Sequence, residues 1–139
     1  MTDDFPEPVP GRRYVIDGNN VMGSRPDRWW NDRAGAAARL AQQVAEWSRT
    51  HTCPVVLVFD GAPVPEVALL AGGNLAIEFA PRRGRNAADD HIVDLVAANP
   101  DPASAVVVTA DLGLLARLPT DARACGPRRF LAGIGAPMR

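Results

Sequence analysis

The sequence predicts an α/β domain, an open and mostly parallel sheet with helices on both faces. Three observations predict it. Short apolar runs rich in β-branched residues recur along the chain, and they are continuous rather than alternating, as in strands covered on both sides. Segments with helical spacing lie between them, giving the β-α-β-α order of a parallel sheet. An acid follows most of the apolar runs, and in a parallel sheet the carboxyl ends of the strands share one rim, where ligands bind.

The elements follow in order. The first residues, MTDDFPEPVPGR, are acidic and Pro-rich, so residues 1–12 are expected to be a flexible tail. Residues 13–139 are expected to form a single domain, a size that suits one core. Strands are predicted at Tyr14 to Ile16, Val55 to Phe59, Leu75 to Phe79 and Ala105 to Val108, with a weaker one near Ala122 to Cys125. Residues 32–49 carry Leu40, Val44 and Trp47 at helical spacing behind Asn31 or Asp32, either of which suits a helix cap. Residues 65–71 suit a short helix. Residues 88–98 set Ala88, Ile92, Leu95, Val96 and Asn99 on one side, a mostly apolar face that would pack on the sheet. A short helix is predicted after Asp111, with Leu112, Leu115 and Leu118 facing inward. The final string, GPRRFLAGIGAPMR, fits either a helix or a loop.

Composition narrows the function. The 47% hydrophobic content is that of a globular chain. No apolar stretch approaches the roughly 18 residues of a membrane span, and the start lacks the basic and apolar regions of a secretion signal. A cytoplasmic location is therefore expected. Cys53 and Cys125 match no metal spacing and read as buried, reduced thiols. The net charge of −1 predicts no strong general attraction to polyanions. All positive side chains other than the two histidines are arginines.

The acids carry the chemistry. Asp17 ends the run in RRYVIDGNNVMG, Asp60 ends the run in VVLVFDG, Asp111 closes AVVVTAD, and Asp89 and Asp90 open the helix in NAADDHI. Right-handed crossovers would bring that helix start to the same rim as the strand ends. Each Asp alone suits a turn or the first turn of a helix, where the helix dipole favours it. Together they would repel: one like-charge pair at roughly 4 Å costs about 4 kcal/mol at an effective dielectric of about 20. Protonation or a bound dication relieves that strain. Carboxylates with waters suit Mg²⁺ or Mn²⁺, and the two histidines, His51 and His91, lack zinc-like spacing. Gly18 would allow a sharp turn after Asp17, Asn20 could orient an acid or a water, and the Thr109 hydroxyl could hold a carboxylate. Spacing does not separate Asp89 from Asp90, since adjacent helical residues point about 100° apart. Such a centre suits hydrolysis of a phosphodiester by a metal-activated water.

Arg82, Arg83 and Arg85, in PRRGRN, precede the acidic helix, and arginine forks suit phosphate oxygens. Trp29 and Trp30, with Arg25 and Arg28, follow the first strand; they could stack on bases, cover the core or build a dimer contact. Arg128 and Arg129 form a second basic pair that could meet a phosphate.

The strings VIDGNNVM, VVLVFDG, AADDHIVDLV and VVVTADLGL, in that order over roughly residues 13 to 118, resemble the NYN domain family, a branch of the PIN-like nucleases. The resemblance implies a three-layer Rossmann-like PIN fold with sheet order 3-2-1-4-5 and a metal-dependent nuclease, usually acting on RNA. By motif it implies that Asp17, Asp89 or Asp90, and Asp111 bind the metal. Asn20 matches the family's polar helper, and Asp60 an acid found after the second strand. Two departures stand out. Ala87 and Ala88 occupy the place of a further acid in related nucleases, and Leu115 occupies another, which suggests a poorer cage, sufficient for one ion.

The expectation is an endoribonuclease with Mg²⁺ or Mn²⁺ held by Asp17, Asp90 and Asp111, supported by Asp89, Asp60, Asn20 and Thr109. The expected partner is RNA, with no membrane; a homodimer, an antitoxin and a ribosome-associated partner stay open. The alternative is a PIN-like module that binds RNA or protein with little or no turnover. A phosphoryl-transfer domain of the receiver or haloacid-dehalogenase type is disfavoured, because both rely on a lysine and the chain has none.

Overall fold

The computed structural model describes residues 5–26, 28–80 and 87–136. Its centre is one sheet in the order β3-β2-β1-β4-β5. The strands are β1 (Arg13–Asp17), β2 (Val55–Asp60), β3 (Leu75–Ala80), β4 (Ala105–Val108) and β5 (Arg123–Cys125). All four pairings are parallel. The α/β architecture and the strand order are therefore those expected.

Alternate residues of the central strands feed two cores. Tyr14, Ile16, Val55, Leu57, Phe59, Val106 and Val108 point to one face. There they meet α1 (Gly18–Gly23), α2 (Arg33–Ser48), α3 (Pro65–Ala68) and α6 (Pro127–Gly133). Val15, Val58 and Val107 point to the other face, against α4 (Ala87–Ala97) and α5 (Leu112–Arg117). Burial on both faces is why these runs read as continuous apolar sequence.

The helices are set by their caps. Asp32 accepts from the Gly35 N–H and opens α2, whose Leu40, Val44 and Trp47 lie in the core as expected. In α4, Ala88, Ile92 and Val96 are buried. The phase of α5 differs from the expected one. Leu112 is 80% exposed and Leu114 is fully buried, while Leu118, of the three expected, packs partly on the core. Asp111 caps this helix, and a six-residue helix is too short for spacing to fix which side faces in.

Of the tail expected over residues 1–12, the structure describes residues 5–12. Residues 5–12 form no helix or strand, yet Phe5 packs against Tyr14, Trp47 and Phe130. The Tyr14 hydroxyl donates to the Pro6 carbonyl at 2.6 Å. A side chain at Gly133 would overlap the Phe5 ring, so glycine there makes the seat for it. One aromatic residue in a polar, Pro-rich string is enough to tie it down.

Candidate functional site

The carboxyl ends of β1, β2 and β4 lie side by side, and β1 is the strand at which the sheet order reverses. Asp17 stands at that point. It is 4% exposed, and it caps α1 by accepting from the Asn20 N–H at 3.4 Å. Its second oxygen accepts from the Thr109 hydroxyl at 2.9 Å. Thr109 in turn accepts from the Asp111 N–H at 3.1 Å, and Asp111 caps α5 through the Leu114 N–H. Strand ends distant in sequence are thus joined through one hydroxyl.

Two consecutive asparagines bind the neighbouring rims to α1. The Asn19 Oδ1 accepts from the Asp60 N–H at 2.8 Å, at the end of β2. The Asn20 Oδ1 accepts from the Ala110 N–H at 2.8 Å, beyond β4. Asp60 itself accepts from the Ala88 N–H at 3.0 Å and so caps the start of α4. Asn19 was not singled out from sequence; its partner lies 41 residues away. Gly18 has no positive backbone angle, so it makes no special turn. It is glycine because a Cβ would lie 2.7 Å from the Phe59 ring and from the Val58 carbonyl oxygen.

Electrostatics separate the adjacent acids of α4. Burial, then the charges of Asp111 and Asp60, push the Asp89 carboxyl up, with Arg117 pulling the other way. Asp90 instead holds the Arg117 guanidinium at 2.8 Å. Asp89 is the one that senses the other acids. The Asp17 carboxyl is pushed up to about 6, first by burial and further by Asp89 and Asp111, against the hydrogen bonds from Thr109 and Asn20. Capping explains one oxygen of Asp17 and one of Asp111. It does not explain an acid buried beside others.

Among the described residues, no three Asp, Glu, His or Cys side chains stand close enough to grip one bare ion. The all-oxygen donor set nonetheless fits a hydrated hard cation, which keeps several waters and takes one or two carboxylates. Carboxyls whose ionisation is opposed by burial and by one another are also groups that a dication would relieve.

The remaining expected residues are dispersed. Trp29 packs partly on the core, with the Arg33 guanidinium 5.2 Å from its ring centre. Trp30 is 60% exposed and meets Trp29 edge-on at 6.0 Å. Arg25 is buried and donates to Gln43. His91 pairs with Glu78 at 2.5 Å. Arg82, Arg83 and Arg85 lie outside the described residues. Both cysteines are free and buried, as expected. Among the described residues no helix is long and apolar enough to cross a membrane.

An all-parallel sheet of this order with helices on both faces is an architecture that PIN-like, nuclease-type domains have. Residues 14–118 match the YacP-like NYN domain, and the chain belongs to that family. Two solved structures share its fold. One is Rae1 (YacP) from Bacillus subtilis, with a TM-score of 0.70 at 22% identity, covering 88% of this chain and 73% of that one. The other is the W164L mutant of the same protein, with a TM-score of 0.67 at 22% identity, covering 89% and 75%. No curated protein matches.

Proposed function

We propose that the chain is a metal-dependent endoribonuclease that hydrolyses RNA phosphodiester bonds with a metal-activated water. The observation that carries the reading is the buried carboxyl of Asp17, pushed up to about 6 beside Asp89 and Asp111. Helix capping accounts for one oxygen each of Asp17 and Asp111, but not for the burial of Asp17 beside the other acids. The family membership supports the same reading.

In this reading Asp17, Asp89 and Asp111 would hold a hydrated Mg²⁺ or Mn²⁺, one or two of them directly and the rest through its waters. Asp89 takes the ligand role that the sequence had assigned to Asp90, because Asp90 is engaged by Arg117. When bound, the ion lowers the pKa of a coordinated water and stabilises the leaving oxygen. Thr109 and Asn20 position the Asp17 and Asp111 carboxylates through the hydroxyl and the Ala110 contact. Asp60 fixes the first turn of α4, and with it Asp89. Trp30, exposed and edge-on to Trp29, offers a face on which a base can stack.

The test is incubation of the purified chain with labelled single-stranded and structured RNA, with Mn²⁺, with Mg²⁺ and with chelator. Cleavage that requires the ion and is lost in Asp17→Asn is expected. The second reading, a binding module without turnover, draws support from acids that stand too far apart to grip a bare ion. RNA bound but left intact under every metal condition would favour it and would end the nuclease proposal.

A further inference from the structure

Beside the acids lies a cavity of about 570 Å³, lined by Asn19, Asn20, Ser24, Ala110, Arg128 and Arg129 among others. Its size falls in the range of small-ligand sites, and one nucleotide fits it. Among the described residues no acidic side chain lines it, although it opens next to the acids of the strand ends. Arg128 and Arg129 supply guanidinium donors from the first turn of α6. The Oδ1 atoms of Asn19 and Asn20 are already used by the Asp60 and Ala110 N–H groups. That fixes each amide and leaves its NH₂ as a donor. The lining thus offers donors to a ligand rich in acceptors.

Position gives the ligand its identity. Ala110 lies between Thr109, which holds Asp17, and Asp111. A group in the cavity is therefore a direct neighbour of whatever sits at the acids. In a polynucleotide with one phosphate at the acidic centre, the adjoining phosphate meets donors on this side and carboxylates on the other.

We propose that this cavity is a subsite for the backbone phosphate next to the scissile one, with Arg128 and Arg129 as its main contacts. The proposal rests on the ribonuclease reading above. Arginine supplies two parallel donors to a phosphate, and each phosphate neutralised on a single strand adds about 0.7 to the slope of log affinity against log salt. The subsite is sequence-independent, because it touches the backbone alone.

The experiment measures fluorescence anisotropy of a labelled single-stranded RNA against the full chain over a salt series, in chelator so that no cleavage occurs. The double variant Arg128→Ala/Arg129→Ala is expected to bind about tenfold more weakly, with a salt slope shallower by about 0.7 to 1.4, one to two phosphate contacts. Arg128→Lys/Arg129→Lys should restore the slope, because it restores the charge. Thermal unfolding of each variant separates lost contact from lost fold, and the single variant Arg128→Glu, at an exposed position, serves if the double variant unfolds. Unchanged affinity and slope in the folded double variant, beside a wild type that cleaves RNA, would overturn the subsite and leave the nuclease standing. Weaker binding with an unchanged slope would also overturn it, since a phosphate contact must register in salt. A wild type that neither binds nor cleaves RNA would remove the ribonuclease reading and the subsite with it.

Discussion

Replacing Asp17 with asparagine should separate stability from activity. The Asp17 carboxyl is raised from the ordinary 3.8 to about 6, with burial as the first cause. A raised pKa in the folded state means that folding binds the proton more tightly. Wild-type stability is therefore greatest below the ordinary value and falls as pH rises from about 3.8 to about 6. At about 1.4 kcal/mol per pH unit, the ionised acid costs the fold roughly 3 kcal/mol at neutral pH. Asparagine escapes that cost but loses one acceptor, leaving the Thr109 hydroxyl to find another at about 1 kcal/mol. The net gain for Asp17→Asn is then about 1–2 kcal/mol at pH 7, a rise in Tm of roughly 3–7 °C for a domain of this size. The gain should shrink toward zero or reverse below pH 4 or so, where both states of the wild type are protonated. Mn²⁺ at about ten times its Kd should stabilise the wild type by about 1.4 kcal/mol and leave the variant unmoved. The assay is thermal unfolding across pH 3.5–8 or so, with and without the ion, beside RNA cleavage. A variant less stable than wild type at pH 7, or a difference that ignores pH, would refute the electrostatic argument.

Other substitutions address single contacts. Asp89→Asn should abolish cleavage, whereas Asp90→Asn should keep most of it and lose at most about 1 kcal/mol in urea unfolding, as for an exposed ion pair. Gly18→Ala should destabilise by about 1–3 kcal/mol, because the new methyl meets the Val58 carbonyl oxygen as well as the Phe59 ring; a chemical denaturation midpoint at the wild-type value would show that β2 yields more easily than its packing implies. Phe5→Ala should cost about 1–3 kcal/mol through lost contact with Tyr14, Trp47 and Phe130, less than a fully buried phenylalanine because the ring is partly exposed; an unchanged Tm would return the segment to a tail.

The parts of the fold that could be read from sequence are those in which local and tertiary preference agree. Val55–Asp60 and Ala105–Val108 are β-branched and covered on both sides, so pattern and burial coincide. In α2 the cap at Asp32 and the long apolar stripe carry the same message. The facing of α5 was not legible, because the position of Leu114 is decided by the Asp111 cap and the sheet beneath. Asp17, Asp60 and Asp111 were visible as acids after strands, a period-independent signal. The choice between Asp89 and Asp90 depends on the rotation of α4 about its axis, which packing of Ile92 and Val96 sets. The work of Asn19 depends on a contact with β2 that no neighbouring residue announces.

The paired asparagines have a consequence for how the rim can behave. Because one reaches left to β2 and the next reaches right to β4, the three strand ends are clasped from the middle strand outward. A visitor to the acids meets a mouth that is already set, and little ordering remains to be done on arrival. Selection among visitors then falls to the shape and charge of the walls rather than to closure of the strand ends around them.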